Sequence, residues 1–133
     1  MSKAKEQFEG GCLCGAVRFI ATGEPKGIYW CHCQSCRKHT GAPVAVFVAY
    51  EPQAYKLTKG EIAKFDSTPR QTRRGFCARC GSTLTCESLP EMTPTHFHVG
   101  AFDLLFLRPS KTRVSKLFDP ISFPQTPDKT ARY

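Results

Sequence analysis

Seven of the eight cysteines in this chain fall into three groups with spacings suited to metal ligation: Cys12-x-Cys14, Cys31-x-Cys33-x-x-Cys36 and Cys77-x-x-Cys80, with Cys86 standing apart. In an extended segment, residues i and i+2 project to the same face about 6.6 Å apart. Two thiolates on one tetrahedral zinc ion, each at about 2.3 Å from it, lie roughly 3.8 Å apart. Modest bending of a CxC segment closes that difference. In "FCARCGS" the CxxC pair is followed by Gly81, the form of a tight knuckle that turns two sulfurs and nearby amides toward one ion, and Cys12-Leu13-Cys14-Gly15 supplies a second pair with its own glycine. The simplest complete site joins Cys12, Cys14, Cys77 and Cys80 in a closed four-thiolate centre. Such a centre has no free coordination position, so its expected role is structural, and structural zinc contributes on the order of 10 kcal/mol to folding.

Cys31, Cys33 and Cys36 are then one ligand short of a tetrahedron. Three protein ligands with an exchangeable fourth is the pattern of a catalytic zinc ion. Two alternatives stay open. A fourth ligand from His32, His39, Cys86, His96 or His98 closes the second site, with His32 the weakest candidate because an extended segment points it away from its cysteine neighbours. A different pairing of the clusters leaves one ion and a few buried thiols.

The compartment bears on the same choice. "MSKAKEQFEGG" contains no apolar stretch of signal-peptide length, and no segment approaches the roughly 18 apolar residues needed to span a bilayer. A cytoplasmic protein without a membrane partner is expected, and thiols held reduced there ligate metal more readily than they form disulfides. Lysine and arginine outnumber acidic residues 19 to 11, a balance of +8 that favours anionic ligands. The positive charge is scattered and carries no recognisable nucleic-acid motif, so no nucleic acid is expected as partner; a homodimer is compatible with the sequence.

The elements that must position these cysteines are short. Apolar runs at 16–20, 28–30, 44–50, 54–58, 61–66, 82–86 and 95–102 are rich in β-branched and aromatic residues and separated by glycine and proline, the pattern of an all-β domain. "QSCRKHT", Gln34 to Thr40, lacks a strand's alternation and ends at Gly41, a suitable helix C-cap, so it is the one short helix expected. Residues 1–119 read as a single domain and 120–133, with prolines at 120, 124 and 127, as an extended or poorly ordered tail.

Together, "GGCLCGAVRF" at 10–19, "CHCQSCRKHTGAP" at 31–43, "RRGFCARCGSTL" at 73–84 and, more loosely, "HVGAFD" at 98–103 resemble the glutathione-dependent formaldehyde-activating enzymes, a family to which centromere protein V is related, and in particular its short bacterial members. The resemblance implies a β-rich fold of two antiparallel sheets clamped by zinc, with two ions per chain. It places a structural ion on Cys12, Cys14, Cys77 and Cys80 and a labile, catalytic ion on Cys31, Cys33 and Cys36. It also implies a carbon–sulfur lyase acting on a small thiol or thiol adduct, the named reaction being reversible addition of glutathione to formaldehyde to give S-hydroxymethylglutathione. An open zinc site suits that chemistry, since it binds a thiol as thiolate and polarises a carbonyl oxygen.

Three thiolates on Zn²⁺ carry a formal charge of −1, so nearby cations matter. Arg37, Lys38 and His39 follow Cys36, and Arg70, Arg73 and Arg74 precede Cys77; they can hold a glutathione carboxylate or simply form a solvated face. Tyr29, Trp30, Phe47 and Phe76 suit a core or a pocket wall, His96 and His98 share a strand face, and Cys86 reads as a small buried hydrophobe. A second reading, from a different class, is a non-catalytic zinc module presenting a basic surface to a protein or nucleic acid. A third, a methionine sulfoxide reductase-like enzyme, requires one zinc ion on two CxxC pairs, whereas one pair here is CxC.

Overall fold

The computed structural model describes residues 5–67 and 71–103. The expected tail at 120–133, the last residues of the expected domain and Arg70 lie outside the described residues. Within them the chain forms nine strands and one helix: β1 Gln7–Gly11, β2 Arg18–Thr22, β3 Gly27–Cys31, α1 Gln34–Thr40, β4 Ala45–Tyr50, β5 Tyr55–Lys59, β6 Ala63–Ser67, β7 Thr72–Phe76, β8 Thr83–Ser88 and β9 Thr95–His98, with single 3₁₀ turns at Pro52–Ala54 and Val99–Ala101. The strands pair antiparallel into a three-stranded sheet, β1-β2-β5, and a six-stranded sheet, β3-β4-β9-β8-β7-β6. The nearly all-β, two-sheet architecture expected from the sequence is what the chain adopts.

Phe19 and Ala21 of β2 meet Val48, Tyr50, Leu84 and Phe97 of the larger sheet in one buried cluster that also takes in Phe102. Phe97 has no exposed surface, and its ring centre lies 4.6 Å from that of Phe19 and 4.9 Å from that of Tyr55. Each such buried side chain stabilises the fold by about 1.5–3 kcal/mol in transfer free energy. Strand alternation sends Val48, Tyr50 and Phe97 to this core face and turns Ala45, Phe47, His96 and His98 to the opposite face. That opposite face carries the second cluster, in which Cys33, Cys36, Ala45 and Phe47 are buried and Cys31 and Cys86 pack against them.

A register shift between Gly75 and Phe76 makes a bulge where β7 pairs with β8. Past it, Arg74, Cys86, His96 and Ala49 stand in one cross-strand row across β7, β8, β9 and β4. Helix α1 is the one helix the sequence signalled, over the same residues, with Gly41 in the left-handed region at φ +71° and its N–H donating to the Arg37 carbonyl at 2.8 Å. No helix among the described residues is long and apolar enough to cross a membrane.

Two cysteine sets as candidate metal centres

The first set lies at the tips of two hairpins belonging to different sheets. Between β1 and β2 the chain turns through Cys12-Leu13-Cys14-Gly15, where Gly15 N–H donates to the Cys12 carbonyl at 3.2 Å and Cys12 N–H to Val17 at 3.1 Å. Between β7 and β8 it turns through Cys77 to Gly81, with Gly81 N–H donating to the Cys77 carbonyl at 2.8 Å. Gly15 and Gly81 have φ of +79° and +76°, a conformation a side chain would strain, which is why each pair is followed by glycine. Leu13 N–H donates to the Ser82 hydroxyl at 2.9 Å and joins one knuckle to the other.

The sulfurs of Cys12 and Cys14 are 3.6 Å apart, those of Cys14 and Cys77 are 3.8 Å apart, and all four Sγ atoms, with Cys80, lie within 4.8 Å of one another. That spacing fits the roughly 3.8 Å edge of a zinc–thiolate tetrahedron. The Ser82 hydroxyl, 3.2 Å from the Cys80 sulfur, and the Ser82 amide hold the Cys80 thiol down to about 5, so its thiolate is stabilised. Ser82 escaped sequence reasoning; its only signal was a hydroxyl residue directly after CxxCG.

Cys31, Cys33 and Cys36 form the second set, at the junction of β3 and α1, with their sulfurs again within 4.8 Å of one another. Cys31 ends β3. Cys33 is the N-cap of α1, its sulfur accepting from the Cys36 amide at 3.4 Å, and it lies 3.3 Å from the Cys31 sulfur. Cys36, in the first turn of the helix, is buried. The Cys31 thiol is held down to about 5, chiefly by its hydrogen bond with Cys36, and that bond together with burial raises Cys36 in turn. Both sets could hold a metal ion, and all eight cysteines are free thiols rather than disulfides.

Among the described residues no fourth ligand joins the second set: His32, His39, Cys86, His96 and His98 all lie outside the group of mutually close donors. Cys86 packs against the set, and burial raises its thiol to about 11. His39 instead meets the Thr83 hydroxyl at 2.6 Å. His98 packs on the Phe47 ring with centres 4.5 Å apart, and burial, followed by the charges of His39 and Arg74, lowers it to about 3. Burial likewise lowers His96, whose ring meets the edge of Tyr29 at 5.4 Å. Tyr29 is 48% exposed and therefore walls this face from outside, while Phe47 is core.

The cations flanking the clusters divide. Arg37 and Lys38 are exposed on the last turn of α1. Arg73 pairs with Asp66 at 2.7 and 3.0 Å and touches the Met92 sulfur at 3.1 Å. Arg74 is neither on a solvated face nor open to a carboxylate: it is 4% exposed and directs both Nη atoms at the Cys36 sulfur, each at 3.7 Å.

A family model described as glutathione-dependent formaldehyde-activating enzyme matches residues 7–116. An uncharacterized lyase of Schizosaccharomyces pombe is 31% identical over 78 residues, 59% of this chain and 56% of that protein. A putative glutathione-dependent formaldehyde-activating enzyme of Halomonas elongata is 31% identical over 87 residues, 58% of this chain and 54% of that protein. The chain thus spans little more than half the length of these curated relatives. A crystal structure of a Rhodobacter sphaeroides protein superposes with a TM-score of 0.58 at 20% identity, covering 76% of this chain and 91% of that one, and so shares the fold.

Proposed function

The chain belongs to the glutathione-dependent formaldehyde-activating enzyme family, and from that premise we propose that it is a zinc-dependent carbon–sulfur lyase whose substrate is a small thiol or thiol adduct of the glutathione kind. In this reading Cys12, Cys14, Cys77 and Cys80 hold a structural ion, and Cys31, Cys33 and Cys36 hold the ion that meets substrate. The observation that carries it is the asymmetry of the two sets: four mutually close sulfurs in one, three in the other with no fourth described donor beside them.

Zinc bound by the three-sulfur set supplies Lewis acidity, lowering the pKa of a thiol at the vacant position and polarising a carbonyl oxygen. The chain's own residues do the rest. Cys31, half-buried where Cys33 and Cys36 are buried, marks the side from which substrate approaches, on the strand face it shares with Tyr29. Addition forms a carbon–sulfur bond between thiol and formaldehyde while the thiol proton passes to the carbonyl oxygen; the reverse reaction returns it. His96, half-buried on the same sheet face, is a base able to take up that proton, whereas His98, lowered to about 3 chiefly by burial, is too weak a base for it.

Metal analysis of the purified chain followed by titration with glutathione tests the reading. The expected result is two zinc ions, one of them perturbed by added thiol. Two ions that both ignore thiol, or a single ion, overturns it, and salt-sensitive nucleic-acid binding without thiol sensitivity favours a non-catalytic zinc module instead.

A further inference from the structure

Arg74 is buried to 4% exposure on the site face of β7, in register with Cys86 of β8, and among the described residues no carboxylate pairs with it. A guanidinium withdrawn from water without a counter-charge costs several kcal/mol, so a position like this requires an anion. Among the described residues the partner it meets is sulfur: both Nη atoms point at Cys36 Sγ at 3.7 Å, a thiol that becomes anionic when it ligates a metal ion. Of the other cations flanking the set, Arg37 and Lys38 are exposed to solvent on the last turn of α1, and burial lowers both His39 and His98, with Arg74 itself opposing their protonation. Three thiolates and one Zn²⁺ sum to −1, the charge that one guanidinium cancels.

We propose that Arg74 is the counter-cation and positioning residue of the Cys31–Cys33–Cys36 centre: its fork pins the Cys36 thiolate on the metal, and its charge sets the centre's preference for an anionic fourth ligand, a thiolate, over a neutral one. This rests on the reading of that set as an exchangeable metal site. Without the guanidinium, a fourth thiolate brings the centre to −2 in a largely buried setting, where charge is expensive. With it, the same ligand leaves −1. A neutral ligand such as imidazole gains nothing from the cation, so the two ligand types respond differently to its removal.

The test uses the full chain loaded with cobalt(II), whose thiolate charge-transfer and ligand-field bands report each centre. Chelator competition measures retention of the ion at the three-sulfur set, with the ion on Cys12, Cys14, Cys77 and Cys80 as internal reference. Arg74→Met is expected to weaken that retention by about 10–100-fold, the usual effect of losing an outer-shell partner, and to leave the reference ion in place. Titration with 2-mercaptoethanol and with imidazole is expected to show the thiolate affinity falling at least tenfold further than the imidazole affinity.

Arg74→Lys keeps the charge and loses the fork. It covers a Met variant that does not fold, and it is expected to hold the ion less tightly than wild type while keeping the preference for thiolate. Retention equal to wild type in the variant that folds overturns the proposal, as does equal loss of thiolate and imidazole binding in Arg74→Met. If the wild-type chain takes up neither ligand, the exchangeable-site reading and the ligand preference both fall; selective loss of the ion in Arg74→Met then still supports the pinning of Cys36.

Discussion

Replacing Cys77 by serine tests the clamp where the structure makes the strongest demand on it. Cys77 is 1% exposed and its sulfur lies 3.8 Å from that of Cys14, 63 residues away in sequence. A metal held by both closes a loop of that span, and the chain-closure relation used for disulfides assigns such a cross-link about 4 kcal/mol. A domain of this size has a total stability of about 5–15 kcal/mol, so the loss removes a large fraction before the ligand bond itself is counted. At roughly 3–5 °C per kcal/mol for a chain of this length, Cys77→Ser lowers the melting temperature by about 12–20 °C. Cys33→Ser is the matched control. Cys33 caps α1 through its side chain, a role serine fills well, and its set lies within residues 31–36, so losing that ion opens almost no loop. Its melting temperature is expected to fall by less than about 5 °C. Calorimetry on the zinc-loaded chains, with metal counted in each sample, reads both values. A Cys77→Ser protein that melts with wild type, or a Cys33→Ser protein that falls as far as Cys77→Ser, refutes the assignment of the clamp.

Two further outcomes follow from the packing around the site. At Gly75 an added Cβ meets Thr85 Oγ1 at 2.0 Å and Ile62 Cγ2 at 2.6 Å, so Gly75→Ala is expected to cost about 1–3 kcal/mol, seen as a lower urea midpoint at unchanged slope; an unchanged midpoint contradicts the tight bulge. His98, lowered to about 3 in the fold by burial first and the charges of His39 and Arg74 next, binds fewer protons folded than unfolded below its ordinary value near 6.5. Its contribution is complete above that value and is lost as pH falls, by about 2 kcal/mol at pH 5. Wild type should therefore lose about 2 kcal/mol more than His98→Leu between pH 7 and pH 5, and parallel stability curves for the two proteins would count against a buried neutral imidazole.

What was legible in the sequence follows from what each signal depends on. The seven strand runs and helix α1 showed because alternation, β-branched content and a terminal glycine act within a few residues. β1, "QFEGG", and β7, "TRRGF", did not show, since their glycines and charges argue against a strand. They are strands because β2 pairs with β1 along its whole length and because β6 and β8 flank β7. Cysteine spacing disclosed both candidate metal sets, as ligand geometry limits which spacings can work. The environment of the second set stayed hidden. Arg74 read as one of several cations before Cys77, and only the β7–β8 pairing turns it inward onto Cys36 while Arg73, its neighbour, faces Asp66.

The two sulfur sets sit on joints of different kinds, and this supports giving them different roles. The four-sulfur set links the tip of the β1–β2 hairpin in one sheet to the tip of the β7–β8 hairpin in the other. In the proposed reading, a change of ligand there loosens the joint between the two sheets and so is coupled to unfolding. The three-sulfur set belongs to one continuous stretch, the end of β3 and the first turn of α1, braced from the side by Arg74. In the proposed reading, exchange of a fourth ligand there breaks no link between the two sheets. A catalytic ion must change ligands at every turnover, so in the proposed reading the chemistry belongs to the local set. Reversing the roles would make each cycle strain the core that the clamp holds together.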